Sequence, residues 1–112
     1  MNWIEKCADQ KKPFFVYLPT NTPHVPDIVA EKYSKPYAGK YKGRRIPDAF
    51  YGMIANLDSE LGKLLAELAK DGLDRETIVI FLGDNGSALG GSPRSEDFNG
   101  GLRATKGSAY QG

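Results

Sequence analysis

Two short apolar runs and one long stripe account for most of the hydrophobic patterning along the chain. Residues 13–18, within "PFFVYLP", are aromatic and β-branched, apolar at every position and bounded by Pro13 and Pro19. Residues 77–82, "TIVIFL", repeat that character. A run of this length that is apolar on both faces is what a central parallel strand requires. Between the two lies "DAFYGMIANLDSELGKLLAELAKDG", in which Ile54, Leu57, Leu61, Leu64, Leu65 and Leu68 recur at steps of three and four. That spacing predicts a helix over about 48–71, with Asp48 as its N-cap and Gly72 as a left-handed stop onto which Leu73 folds back. Strand, crossover with a helix, strand is a βαβ unit. The expected fold class is therefore α/β, with parallel strands at about 13–18 and 77–82. Trp3, Ile4, Cys7 and Ala8 share helical spacing and predict a short helix at the N-terminus.

The remaining segments carry less pattern. Residues 20–47 are rich in Pro, Tyr, Lys and Arg and lack sustained periodicity, apart from a turn of helix near Asp27 to Tyr33. A connection this long is functional or disordered. The tail after Leu82 is glycine-rich and shows no strand pattern. With 112 residues there is room for one small domain. A net charge of +1 supplies no field to draw the chain to nucleic acid or an anionic membrane surface. No apolar run approaches the roughly 20 residues of a membrane span, and "MNWIEKCADQKK" lacks the apolar core of a signal peptide. The single cysteine excludes an internal disulfide. Cys7 reads as a packed thiol, since nothing near it in sequence would activate it.

The polar residues with chemical potential gather where the apolar runs end. In "TIVIFLGDNGS", Asn85-Gly86 is a hairpin signal, but a hairpin needs a returning strand and "SALGGSPRS" does not provide one. In open α/β sheets, ligands bind beyond the carboxyl ends of the strands, where Asp84 and Asn85 fall. The pair are adjacent hard oxygen donors of the type Ca²⁺ and Mg²⁺ prefer, although two donors are no cage and a capping role fits Asp84 equally well. His24, the only histidine, sits in "NTPHVP" on the loop leaving the first run, where Pro23 and Pro26 stiffen the backbone; the competing reading is an ordinary surface histidine. Lys106, in "GLRATKGSAYQG", is a compact cation among glycines that allow close approach of an oxyanion, or a solvated lysine. Lys40, Lys42, Arg44 and Arg45, interleaved with Tyr37 and Tyr41, read as a solvated or substrate-facing loop rather than a nucleic-acid patch. There is no P-loop, dinucleotide fingerprint or zinc spacing.

Taken in order, "KPFFVYLPTNTPHVP", "YGMIANLDSELGKLLAEL", "GLDRETIVIFLGDNG" and "GLRATKGSAYQG" resemble the sulfatase family, a branch of the alkaline phosphatase superfamily. The resemblance implies a partial alkaline-phosphatase-like fold. It makes residues 1–112 a single incomplete α/β domain, the central part of a sulfatase catalytic domain without its N-terminal nucleophile region or C-terminal subdomain. It further implies that His24 contacts a sulfate ester near the bridging oxygen. Lys106 would hold a sulfate oxygen, and Asp84 and Asn85 would form the second acid–amide pair of a Ca²⁺ site. The family's nucleophile is a formylglycine made within C-x-P-S-R or C-x-A-S-R; here Cys7 is followed by "ADQK", which does not match. The paired aspartates that complete the calcium site do not appear either. The expectation is thus a piece of an enzyme that hydrolyses sulfated sugars or aryl sulfates, inert by itself and prone to self-association or segment exchange. Full-length relatives are often exported or lysosomal. The alternatives are a phosphodiesterase or phosphonate hydrolase of the same superfamily, against which Asn85 argues, and a non-catalytic remnant that binds an anion or metal.

Overall fold

The computed structural model describes residues 2–40, 47–86, 102–103 and 105–109. It divides into two compact units, Met1–Ile78 and Val79–Gly112.

The first unit is helical. Helix α1 spans Asn2–Asp9, α2 spans Glu31–Ser34 and leads directly into a 3₁₀ turn over Lys35–Tyr37, and α3 spans Asp48–Lys70. The long helix follows the apolar stripe and ends within a residue of the predicted position. Its C-terminus is a Schellman motif: Gly72 adopts φ 70°, its N–H donates to the Ala69 carbonyl at 3.1 Å, and the Leu73 N–H donates to the Leu68 carbonyl at 2.8 Å. The N-terminus differs from expectation. Pro47, extended at φ −68° and ψ 149°, occupies the cap, and Asp48 is the first helical residue. The Asp48 carboxylate instead reaches outside the helix and accepts a hydrogen bond from the Gly39 N–H at 3.3 Å, tying the chain that follows the 3₁₀ turn to the start of α3. An acidic group in the first turn also complements the helix dipole.

Packing in this unit centres on the first two turns of α3. Phe50, Gly52 and Met53 are buried there, and Leu68 is buried near the other end. Helix α2 crosses so closely that a Cβ on Gly52 would lie 2.8 Å from the Ser34 nitrogen, 2.9 Å from the Ser34 Cα and 2.9 Å from a methyl of Val29. Around this crossing Tyr37 stacks on Tyr51 with ring centroids 5.6 Å apart, and Phe50 meets Tyr51 edge-on at 5.9 Å. Ser59, beside the Tyr33 hydroxyl, holds that phenol below its ordinary value, and Lys32 lies 4.6 Å from the Tyr33 ring centroid. Helix α1 covers part of the following segment through an edge-on contact between Trp3 and Phe14. Cys7 is free and half-buried.

The expectation of a parallel βαβ unit is overturned. Among the described residues there is no strand; residues 13–18 and 77–82 are irregular and make no ladder. The α/β assignment and the partial alkaline-phosphatase-like sheet therefore fail for this structure, which is helical. The physical reason is that a strand is not a property of its own residues. Its N–H and C=O groups need a neighbour, and two strands without further partners form no stable sheet. The apolar side chains remain uncovered accordingly: Phe15 is 88% exposed, Ile78 89% and Ile80 75%. The apolar stripe of α3 is also only partly used, since Ile54 and Leu65 are both exposed.

Two glycines of one helix should respond in opposite ways to the same substitution. Gly52→Ala places a methyl against main-chain atoms that cannot rotate away, and should lower the unfolding free energy by about 1–3 kcal/mol. Gly62, whose Cβ position meets nothing within 4 Å, should gain about 0.5–1 kcal/mol on substitution by alanine, from backbone entropy. Urea unfolding followed by circular dichroism at 222 nm, a wavelength that reads helix, tests both.

Candidate functional site

The residues singled out by sequence occupy turns and bends rather than regular elements. His24 belongs to the first unit. The chain around it is ordered by short-range bonds: the His24 N–H donates to the Asn21 carbonyl at 2.9 Å, the Thr20 hydroxyl donates to the Thr22 carbonyl at 3.3 Å, and the Ile28 N–H donates to the Pro26 carbonyl at 2.9 Å. The peptide bonds before Pro23 and Pro26 are cis. The imidazole is exposed, with Nδ1 at 2.8 Å from the Val25 carbonyl oxygen.

Asp84, Asn85 and Lys106 belong to the second unit. Asp84 and Asn85 form a bend directly after the apolar run, and both are exposed. Lys106 occupies the second position of a β-turn closed by the Ser108 N–H donating to the Thr105 carbonyl at 3.1 Å. Gly107, at φ 86°, takes the third position, where a type II turn demands a left-handed residue. The glycine beside Lys106 is thus spent on the turn, which presents the ammonium outward. Among the described residues no side-chain hydrogen bond or ion pair joins Lys106 to Asp84 or Asn85. Of the basic loop, Lys40 is exposed, and Lys42, Arg44 and Arg45 lie outside the described residues. So does the stretch after Gly86 on which the hairpin reading turned.

Sequence reasoning missed one charged cluster. Glu5 of α1 and Glu67 and Asp71 at the end of α3 bring carboxylate oxygens within 4.8 Å of one another. Three carboxylates so close invite a divalent cation, but an ammonium already serves them. Lys70 donates to Glu67 at 2.6 Å, and the fields of Glu67, Asp71 and Glu5 all hold its protonated form above the ordinary lysine value. The Glu67–Lys70 spacing is visible in sequence; the arrival of Glu5 from 62 residues away is not.

The comparisons with known proteins agree with the motifs. The model of the sulfatase family, described simply as "Sulfatase", matches residues 1–112. The human N-acetylgalactosamine-6-sulfatase is 31% identical over 112 residues, covering all of this chain and 20% of that protein. Human arylsulfatase A is 31% identical over 103 residues, covering 92% of this chain and 18% of its own. The uncharacterized sulfatase YdeN of Escherichia coli K12 is 27% identical over 111 residues, covering 97% and 19% respectively. No solved structure matches. The chain belongs to the sulfatase family, whose members hydrolyse sulfate esters and generally use a metal ion. It spans about a fifth of the length of the curated relatives it matches.

The Lys70 cluster yields a test of what the carboxylates bind. With the ammonium in place, millimolar CaCl₂ should leave the melting temperature nearly unchanged. Lys70→Ala should lower it and make it rise with added Ca²⁺, because the three carboxylates then lack their cation. Lys70 gains its partner in the folded state, so its contribution is fully present below pH about 10.5 and is lost only as pH climbs past that value. Thermal scans at neutral pH read the full effect.

Proposed function

We propose that the polypeptide carrying these residues hydrolyses sulfate monoesters of sugars or aryl alcohols, and that this stretch provides substrate-binding and metal-binding side chains but not the nucleophile. The observation that carries this reading is the family match over the whole chain; His24, Asp84, Asn85 and Lys106 lie in the sequence stretches that resemble the family. Relatives named for N-acetylgalactosamine-6-sulfate and for aryl sulfates support that substrate class.

The chemistry of the side chains suits these roles. A sulfate monoester carries negative charge on its non-bridging oxygens and develops more on the departing alcohol. An exposed ammonium on a rigid turn, Lys106, neutralises the first. An imidazole held by its own loop, His24, serves the second as a hydrogen-bond donor. Asp84 and Asn85 are hard oxygen donors side by side and fit Ca²⁺ in kind, though they supply two of the six to eight ligands that ion takes. When bound, such an ion adds positive charge at the sulfuryl oxygens. Cys7, followed by Ala8, Asp9 and Gln10, does not fit the formylglycine motif, so no nucleophile is assigned to these residues and the 112 residues alone are catalytically inert.

In a full-length sulfatase containing this sequence, Lys106→Ala and His24→Ala should each lower kcat/KM for an aryl sulfate by about 10²–10³-fold, the range expected when one electrostatic contact to a developing anion is removed. Wild-type rates in either variant would refute the assignment.

The isolated chain should also self-associate. Val79, Ile80, Phe81 and Leu82 are consecutive and exposed, as are Phe15, Val16, Tyr17 and Leu18. A net charge of +1 gives little repulsion between copies. Light scattering behind size-exclusion chromatography should return a mass above the 12.3 kDa of one chain, and Phe81→Lys should move it back toward that value. A monomer at high concentration would contradict the proposal.

A further inference from the structure

We infer that the main chain holds His24 as its Nδ1–H tautomer, so that Nε2 is the nitrogen that meets a ligand. The argument begins with the 2.8 Å contact between Nδ1 and the Val25 carbonyl oxygen. A carbonyl oxygen only accepts, so the ring nitrogen facing it carries the hydrogen. A neutral imidazole has one N–H, and placing it at Nδ1 leaves Nε2 with its lone pair. The carbonyl is itself fixed. On one side the His24 N–H closes a turn onto Asn21, and on the other the Ile28 N–H bonds Pro26, both at 2.9 Å. The acceptor is thus a backbone group, not a mobile side chain, and His24 is exposed.

The assignment has a chemical consequence that rests on the sulfate-ester reading. With Nδ1 engaged, the neutral ring offers only an acceptor at Nε2, and two acceptors, a lone pair and an ester oxygen, do not attract. Nε2 donates only when both nitrogens are protonated. The form of His24 that binds a sulfate monoester through Nε2 is therefore the imidazolium. Its charge adds attraction for an anionic substrate. Val25 acts as a positioning residue through its carbonyl, independently of its side chain.

The chain contains one histidine, so long-range ¹H–¹⁵N correlation spectra of the uniformly ¹⁵N-labelled chain give one set of ring signals. In the neutral ring, the expected pattern shows a pyrrole-type Nδ1 and a pyridine-type Nε2. A pyridine-type Nδ1, or two nitrogens averaged to equivalent shifts, would overturn the inference. Val25→Ala, which keeps the carbonyl, should leave the pattern unchanged; a switch to the Nε2–H pattern in that variant would show that the side chain, not the main chain, sets the tautomer. Activity reads a different question. If the His24→Ala sulfatase retains full activity while the spectra show Nδ1–H, the functional reading fails and the tautomer assignment stands; the opposite pair of results separates them the other way.

Discussion

The close crossing of α2 over α3 at Gly52 is the contact on which the first unit depends. Main-chain atoms of Ser34 occupy the space a side chain would take, and that approach brings Tyr33, Tyr37, Phe50 and Tyr51 into register around the crossing. Few side chains are deeply buried; Phe50, Met53 and Leu68 form the core among the described residues. A core this small tolerates little error, because each lost methylene is a large part of the whole. Glycine at the crossing converts modest apolar area into a specific docking angle. The Asp48 carboxylate on the Gly39 N–H then ties the chain after the 3₁₀ turn to the start of α3.

Legibility in the sequence followed the range of the interaction concerned. The extent of α3 and its Schellman end depend on residues within one turn of each other, and Gly72 with Leu73 announced them. The short helix at Asn2–Asp9 was readable for the same reason, whereas the turn of helix expected near Asp27 to Tyr33 falls later, at Glu31–Ser34 and Lys35–Tyr37. The cap at Pro47 was misread because Asp48 has the better capping side chain, yet its carboxylate found the Gly39 N–H nine residues back, a partner no local rule proposes. The strands failed for the deeper reason that pairing is non-local: residues 13–18 and 77–82 have strand composition but form no ladder among the described residues. Gly52 could have been flagged, since a glycine inside the strongest helix asks for a close approach, but its partner could not have been named.

The candidate site shows the same division. His24, Asp84, Asn85 and Lys106 were singled out from the stretches that resemble the family, and the match supports the family itself. What sequence did not disclose is how each is presented. Lys106 rides on a turn whose glycine has a conformational duty, and the His24 ring is anchored to the carbonyl of the next residue. Both are arrangements in which a few neighbouring backbone groups, and not a packed core, determine the direction of a charged or titratable group. Such groups keep their orientation through local hydrogen bonds even where little surface is buried around them.

The Lys70 cluster carries an implication for how firmly the N-terminal helix is attached. Helix α1 meets the end of α3 through Glu5, and what makes that meeting tolerable is a solvent-facing ammonium shared among acids. Attraction of this kind is screened over about 8 Å at physiological ionic strength and over about 3 Å at 1 M. Dissolved salt therefore acts as a dial on α1, weakening the ammonium's hold while also easing the repulsion between the acids it serves. Saline surroundings would leave α1 held to a different degree beside an otherwise unchanged α3.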